Sequence, residues 1–220
     1  TLFPYTTLFR SLNGNTETIG GLSSAGGTQN GVVENALASS TGKLIVNTTT
    51  DQSFTGVMQN GTGTASVLVF TKVGAAQQTL AGTTANTYTG VTTVLGGTLR
   101  LNKTAGVNAI AGSLSIGDGT ASAVVLLAAA NQIADTSIAT LAGTGATAGV
   151  LRLAGNSETL AGISSNALVG GGVVENESGV AGTATLTVNV ADSTTQAFNG
   201  VVRDGDGVGT DGSLALVKSG

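Results

Sequence analysis

The feature that most constrains the fold of this chain is that long stretches of it occur twice. Residues 12–24 (LNGNTETIGGLSS) recur as residues 153–165 (LAGNSETLAGISS), and eight of the thirteen positions are identical. The sequence GVVEN at 31–35 recurs at 172–176, an offset of 141 residues, and the offset reaches 146 at Lys72 and Lys218. Repetition of this kind is typical of architectures that stack one structural unit on the next. We therefore interpret residues 12–220 as one domain with two copies of a unit of about 141–146 residues, the second copy incomplete.

A shorter pattern of strands and turns lies inside each copy. Most of seven five-residue segments alternate apolar with small or polar residues, as β-strands do. These segments are KLIVN (43–47), SVLVF (66–70), GTLRL (97–101), GSLSI (112–116), GVLRL (149–153), ATLTV (184–188) and GSLAL (212–216). Steps such as Asn13-Gly14 and Asp118-Gly119 supply the positive φ angles that sharp corners need. The Ala-rich run at 123–141 is interpreted as two strands around a loop at Asn131-Gln132 rather than as a helix.

These strands predict an all-β fold of the parallel β-solenoid (β-helix) type. Residues 12–220 contain no Pro, which would delete donors from the hydrogen-bond ladders between coils. At roughly 20–28 residues per coil the domain would form about eight to ten coils. At ~4.8 Å per coil the rod would be on the order of 40–50 Å long. An antiparallel sandwich is the alternative, because Asn-Gly and Asp-Gly steps also close hairpins.

Residues 1–11 (TLFPYTTLFRS) do not match the rest of the chain. They contain the single Pro and three of the seven aromatic residues. The segment resembles the translation of a sequencing adapter, and it lacks the basic start and small-residue cleavage site of a signal peptide. We therefore predict that residues 1–11 are an artefactual adapter-derived segment and that residues 12–220 are a β-helix fragment truncated at both ends.

Composition excludes several classes of function. The chain has no Cys and no His, so disulfides, Ser-His-Asp triads and zinc sites built on thiolate or imidazole are impossible. Its net charge is −4 and its eight Lys and Arg residues are scattered in sequence, which argues against a nucleic-acid partner. The longest apolar run, at 123–130, is much shorter than the about 20 residues that a membrane-spanning helix needs.

Residues 70–101 (FTKVGAAQQTLAGTTANTYTGVTTVLGGTLRL) contain an ordered series of elements. A Lys-containing strand is followed by a Gly corner, a TL-type strand, an ANTYTG step, TTV and GGTL. The positions that form this series are Lys72, Gly74, Thr79-Leu80, 85–90, 92–94 and 96–99, and related elements are TETIG (16–20), NQIAD (131–135) and SETLAG (157–162). The series resembles the passenger-associated transport repeat, also called the autotransporter-associated β-strand repeat.

The resemblance implies a right-handed β-helix in the passenger of a bacterial autotransporter, a type V secreted protein. Such passengers cross the outer membrane through a C-terminal translocator β-barrel of the same polypeptide and reach the cell surface. Coil-by-coil folding outside the cell can favour outward movement, because each coil needs only its neighbour. We therefore expect a non-enzymatic structural and display stalk of a candidate adhesin, whose host or cell-surface ligand is unknown. The alternatives are a glycan-active β-helix enzyme and a self-associating surface-layer or fibre component.

Paired carboxylates are the residues most suited to glycan chemistry. Glu175 and Glu177 are two positions apart, so on a strand they point to one side, where two carboxylates can act on a glycosidic bond. Glu34 matches Glu175 in the other copy, but Glu177 has no counterpart there, so we expect solvated charge at a strand end. The enzyme alternative requires Arg100 or Arg152 to lie near two carboxylates in a cleft.

Two other repeated residue types have structural explanations. Glu17 and Glu158 are equivalent in the two copies, and we expect both to accept hydrogen bonds from the backbone or from Thr at a corner. Lys72 and Lys218 are also equivalent. We expect them on exposed edge strands, where Lys discourages edge-to-edge association.

The remaining candidates are weaker. Asp204, Asp206 and Asp211 form an acidic loop of the kind that calcium binds, but their spacing does not match an EF-hand, so we interpret the loop as a turn. The tripeptide Thr41-Gly42-Lys43 resembles the end of a phosphate loop but lacks its leading Gly. Paired Thr residues are spaced too irregularly for an ice-binding face; they are Thr16/Thr18, Thr48/Thr50, Thr87/Thr89 and Thr185/Thr187. We therefore predict no catalytic, metal-binding or cofactor-binding residues and no cofactor.

Overall fold

The chain winds into an all-β parallel β-solenoid of about seven turns. The computed structural model describes residues 9–24, 31–166, 169–177, 182–205 and 211–220. In chain order the strands are β1 (Phe9–Ser11), β2 (Thr16–Ile19), β3 (Val32–Glu34), β4 (Thr41–Asn47), β5 (Gln52–Phe54), β6 (Val57–Gln59), β7 (Val67–Val73), β8 (Gln77–Gly82), β9 (Thr92–Val94), β10 (Gly97–Lys103), β11 (Leu114–Ile116), β12 (Ala123–Leu127), β13 (Ile138–Leu141), β14 (Gly149–Arg152), β15 (Glu158–Leu160), β16 (Gly162–Ser165), β17 (Val173–Glu175), β18 (Thr183–Asn189), β19 (Val201–Arg203) and β20 (Ser213–Ser219). A single 3-10 turn over Gly145–Thr147 is the helical element of the described residues.

The strands form three sides. Side 1 is a seven-stranded sheet of β2, β4, β7, β9, β11, β13 and β16, and side 2 is a seven-stranded sheet of β5, β8, β10, β12, β14, β17 and β19. Side 3 consists of two three-stranded sheets, β1-β3-β6 and β15-β18-β20, and the turns between them meet at the parallel bridge of Ile110 with Ile133. In a typical turn the chain runs along side 3, then side 1, then side 2, as in β3, β4 and β5.

The core is a set of columns that run along the solenoid axis. Side chains alternate between the interior and the outer surface along each strand, and the parallel register places equivalent residues above one another. The inward columns include Leu44, Phe70, Thr92, Leu114 and Ala139 on side 1, and Leu99, Val125, Leu151 and Val174 on side 2. Each of these side chains is at most 1% exposed. Full burial of one Leu or Val contributes roughly 1.5–3 kcal/mol, so the columns are a main source of stability.

The predicted parallel solenoid is confirmed, and the antiparallel sandwich is wrong. The run at 123–141 forms β12 and β13, and Asn131 in the loop between them has a φ of 51°. The structure has about seven turns, fewer than the expected eight to ten coils. Each of the two seven-stranded sheets spans roughly 29 Å from its first to its last strand.

The long sequence repeat is not a whole number of turns. The strand with Glu34, β3, lies on side 3, whereas its counterpart β17 lies on side 2. In the same way β4 lies on side 1 and its counterpart β18 lies on side 3. The second copy therefore begins five turns and two sides after the first. Residues that are equivalent in sequence consequently lie on different sides of the solenoid.

Candidate functional site: an arginine ladder beside a corner groove

Glu175 is the centre of a charge cluster on side 2. The register of β14, β17 and β19 places it between Arg152 and Arg203. Arg152 donates to Oε1 from Nε at 2.8 Å and from Nη2 at 2.7 Å, and Arg203 donates to Oε2 from Nε at 2.9 Å and from Nη2 at 2.6 Å. The Glu175 side chain is 0% exposed. The expectation of solvated charge at Glu175 is therefore wrong, because two guanidinium groups cover it.

Glu177 extends this cluster at its edge. Its Oε2 lies 2.6 Å from Nη2 of Arg152, and its side chain is 26% exposed. Arg152 thus contacts two carboxylates, as the enzyme alternative requires. However, both oxygens of Glu175 are held by arginines, and the two grooves described below are lined by other residues. The geometry of the cluster therefore fixes the orientation of the two arginines, and neither groove is lined by Glu175 or Glu177.

The three arginines beyond residue 11 lie in one column on the outer surface of side 2. The register aligns Arg100, Leu126, Arg152, Glu175 and Arg203 on successive strands. We call Arg100, Arg152 and Arg203 the arginine ladder. Consecutive members are two strands apart, about 9.6 Å along the axis. In the part of the chain that the structure describes, the guanidinium of Arg100 forms no hydrogen bond or ion pair.

Sequence reasoning missed the ladder because its members are about 50 residues apart in the chain. A signal was nevertheless present, since Arg100 and Arg152 both occupy the fourth position of a similar five-residue segment, GTLRL and GVLRL. The neighbouring outward column on the same side is apolar and consists of Val124, Val150, Val173 and Val201. Side 2 thus presents a row of cations beside a strip of valines.

A groove follows the corner between sides 1 and 2. It has a volume of about 550 Å³ and is lined by Gly74, Ala75, Leu95, Gly96, Gly97, Thr98, Ala121, Ser122 and Val124. Thr98 precedes Arg100 by two residues on the same strand, so the groove opens beside the arginine ladder. We call it the corner groove. A second groove of about 440 Å³ lies at the last turn and is lined by residues that include Val188, Phe198, Leu216 and Lys218.

Lys72 is buried directly beneath the corner groove. Its Nζ donates to the carbonyl oxygens of Val73, Gly74 and Gly96 at 2.8, 2.9 and 3.0 Å. Burial lowers the pKa of Lys72 to about 8. The expectation that Lys72 lies exposed on an edge strand is wrong, because β7 is flanked by β4 and β9 and the side chain points inward. Lys218 is exposed on the outer strand β20, as expected, and its Nζ donates to the carbonyl of Gly220.

Lys103 is a second buried lysine, which sequence reasoning did not identify. Its Nζ donates to the carbonyl oxygens of Gly56, Ala81 and Thr84 at 3.1, 3.0 and 2.7 Å, at a corner of the solenoid. Burial lowers the pKa of Lys103 to about 8. The alternation of β10 could have identified it, because every second side chain of a strand points the same way and Lys103 follows the inward Leu99 and Leu101.

The expected role of the repeated glutamates is correct for one copy only. Glu158 is 1% exposed, and its carboxylate accepts hydrogen bonds from the backbone amides of Gln132, Ile133 and Thr159 at 2.8, 3.1 and 3.0 Å. Burial raises the pKa of Glu158 to about 7, and these amides oppose the rise. Glu17 instead forms an ion pair with Arg10 at 2.9 Å, with its side chain 43% exposed.

The other candidates occupy structural positions. Asp204 Oδ1 accepts a hydrogen bond from the Leu214 amide at 2.8 Å, as expected of a turn, while Asp206 lies outside the described residues. Thr41-Gly42-Lys43 begins the strand β4 and does not form a phosphate loop. The paired Thr residues lie on different sides, with Thr16/Thr18 on side 1 and Thr185/Thr187 on side 3. Among the residues described, no three potential ligands gather as a metal site would require.

Comparisons of the chain with protein-family models, with curated proteins and with solved structures found no match. Over the described ranges, no helix has the length and apolar character needed to cross a membrane.

Proposed function

We propose that this chain is a structural and display β-solenoid, part of the stalk of a bacterial surface protein exported as an autotransporter passenger. The support is the ordered series at 70–101 together with the solenoid fold. A stalk of this kind needs neither a catalytic residue nor a cofactor. It holds another part of the protein, such as an adhesive tip, away from the cell.

One observation carries this proposal: the residues of the series are used inside the solenoid. Lys72 is a buried corner residue, and Tyr88 is 0% exposed with its hydroxyl 2.5 Å from that of Thr92. Asn86 bridges two turns, because its Oδ1 accepts from the Met58 amide at 2.9 Å and its Nδ2 donates to the Ala109 carbonyl at 2.7 Å. The series therefore encodes coil geometry rather than a reactive surface, which suits a transport and display module.

Surface display in cells tests the proposal. Residues 12–220 would be placed between a signal peptide and a translocator β-barrel, and protease would be added to intact cells. We expect a protease-resistant solenoid on the outside. A β-barrel expressed without the solenoid gives the background signal. The variant Gly149→Leu is the matched misfolding control, because a Cβ at Gly149 would lie 2.0 Å from the Ile116 carbonyl oxygen. Retention of the wild-type solenoid inside the cell, or display that Gly149→Leu does not impair, would contradict the proposal.

A self-associating fibre component is the second candidate. Leu216 and Val217 on β20 are 50% and 43% exposed, next to the apolar groove of the last turn. Apolar surface on an outer strand favours edge-to-edge association. Sedimentation of the purified chain at rising concentration tests this candidate. A monomer at all concentrations would refute it, whereas oligomers that the variant Leu216→Lys disperses would support it.

A further inference from the structure

The outer surface of side 2 combines features that a binding surface for a polyanion needs. The arginine ladder supplies guanidinium groups, which bind carboxylates and sulfates with paired hydrogen bonds. The chain as a whole carries a net charge of −4, so a row of three arginines on one side is a local concentration of positive charge. Arg100 is half-buried and has no partner among the described residues, so its donors are available.

Glu175 gives this surface its order. Its carboxylate holds Nε and Nη2 of both Arg152 and Arg203, so each guanidinium is fixed in orientation while its Nη1 stays outside these bonds. A side chain fixed before binding loses less conformational entropy when a ligand arrives. The cost is that Glu175 and Glu177 neutralise part of the positive charge. The ladder therefore suits a ligand with few, widely spaced charges.

The spacing of the ladder narrows the class of ligand. Arginines two strands apart repeat at about 9.6 Å, which is close to the length of one disaccharide unit in an extended polysaccharide. Each strand of a DNA duplex carries a phosphate every ~3.4 Å, much closer than the arginines of the ladder. The bases of a single strand stack on aromatic side chains, which this side lacks among its described outward residues. The valine column beside the ladder offers an apolar strip for the carbon–hydrogen faces of sugar rings.

The corner groove adds a place for the chain of sugars to lie. Three of its lining residues, Gly74, Gly96 and Gly97, have no side chain, so a ligand can approach the backbone closely. Beneath this groove the buried ammonium of Lys72 donates hydrogen bonds to the carbonyl oxygens of Gly74 and Gly96. These two carbonyls are therefore already engaged as hydrogen-bond acceptors. Thr98 and Val124 line the groove and lie two positions before the arginine-ladder column on their strands, so the groove and the ladder are adjacent.

We propose that side 2 binds a linear acidic polysaccharide with one carboxylate or sulfate per disaccharide, aligned with the solenoid axis along the arginine ladder and the corner groove. Arg100 anchors one acidic group, and Arg203 anchors another further along the axis. Binding of this kind goes beyond a stalk role, because it would attach the stalk itself to a capsule or to host matrix glycans. If it fails, the display function proposed above is unaffected.

The test is binding of a labelled hyaluronan oligosaccharide, which has one carboxylate per disaccharide, with an uncharged chitin oligosaccharide of equal length as the comparison. We expect the 220-residue chain to bind the hyaluronan probe, to bind it less tightly as salt is added, and to ignore the uncharged one. The variant Arg100→Gln should weaken binding about tenfold or more, since it removes hydrogen bonds to a charged group. The matched control is Lys43→Gln, which removes a cation from the outer surface of side 1 and should leave binding unchanged.

A second variant separates binding from folding. Glu175→Gln removes the negative charge that offsets Arg152 and Arg203, while the oxygen of the new amide can still accept a hydrogen bond from one of them. The gain in positive charge then outweighs the partial loss of order, so we expect tighter binding of the hyaluronan probe, an effect opposite to that of a damaged fold. Circular dichroism would verify that each variant remains folded. The proposal is overturned if the probe does not bind, if Lys43→Gln weakens binding as much as Arg100→Gln, or if Glu175→Gln weakens it. It is also overturned if single-stranded DNA or polyglutamate binds equally well, since the surface would then recognise polyanions in general.

Discussion

Asn35 and Asn176 are 141 residues apart and make the same contacts on different corners of the solenoid. Asn35 Oδ1 accepts from the Gly14 amide at 2.7 Å, and its Nδ2 donates to the Val67 carbonyl at 3.0 Å. Asn176 Oδ1 accepts from the Gly155 amide at 2.7 Å, and its Nδ2 donates to the Ser213 carbonyl at 2.8 Å. Each therefore links the turn before it to the turn after it. The repeat preserves these corner contacts although the second copy is shifted by five turns and two sides.

Removal of a corner asparagine should destabilise the solenoid. Asn35→Ala leaves a half-buried amide and a half-buried carbonyl without their side-chain partner, which costs about 1–3 kcal/mol of unfolding free energy. Asn102→Ala is the control, because the Asn102 side chain faces outward and forms no hydrogen bond among the described residues; the variant should stay within about 0.5 kcal/mol of wild type. Urea denaturation measures both. Equal stability of the two variants would show that the corner contacts contribute little.

The glycine of the Tyr-Thr-Gly step should not tolerate a side chain. A Cβ at Gly90 would lie 2.2 Å from the Leu68 carbonyl oxygen in the preceding turn, a contact that backbone movement alone can relieve. We expect Gly90→Ala to lower the unfolding free energy by about 1–3 kcal/mol or more, as overpacking does. A Cβ at Gly20 would meet no atom within 4 Å, so Gly20→Ala is the matched control and should be nearly neutral. A stable Gly90→Ala would mean that successive turns are further apart there.

How far the sequence could predict the fold depends on the distance over which each signal acts. Strand alternation and turn chemistry act within a few residues, so segments such as β10 and β12 were identifiable. The inward lysine Lys103 could also have been found from its parity in β10. The pairing of Arg152 with Glu175 and Arg203 depends instead on which residues stack one turn apart. Paired residues on successive side 1 strands are 22 to 27 positions apart, so an error of one residue moves a side chain to the opposite face.

Glu158 should make stability fall as pH rises through the weakly acidic range. Burial raises its pKa from 4.5 to about 7, so between these values the folded state binds more protons than the unfolded state. The variant Glu158→Gln lacks this titration, and the stability of wild type relative to the variant should decline from about pH 4.5 to about pH 7. Urea denaturation across this range measures the difference. Glu17→Gln, on an exposed carboxylate, is the control, and a flat difference for Glu158→Gln would contradict the prediction.

Lys72 should have the opposite signature at alkaline pH. Burial lowers its pKa from 10.5 to about 8, so between these values the unfolded chain holds a proton that the folded chain has released. Stability then increases with pH through this window. The unfolding free energy of wild type relative to Lys72→Met should therefore rise between about pH 8 and pH 10. Lys43→Met, at a half-buried outward position, is the comparison, and its difference from wild type should stay flat because both proteins contain Lys72. A flat difference for Lys72→Met as well would show that Lys72 keeps its proton throughout this range.

Arg203 and Glu175 should be energetically coupled. Arg203→Gln leaves one oxygen of a fully buried carboxylate without its donors, and we expect it to cost about 1–3 kcal/mol of unfolding free energy. In the Glu175→Gln background the same change removes no charged hydrogen bond and should cost much less. The coupling energy from the four proteins is therefore expected at about 0.5–3 kcal/mol, the range for residues in one network. Arg100→Gln, combined with Glu175→Gln, is the matched cycle without a contact, and its coupling should be near zero. If the two cycles gave the same coupling energy, Glu175 would affect the arginines of side 2 only through its charge. Its hydrogen bonds to Arg203 would then contribute nothing to holding the arginine ladder in place.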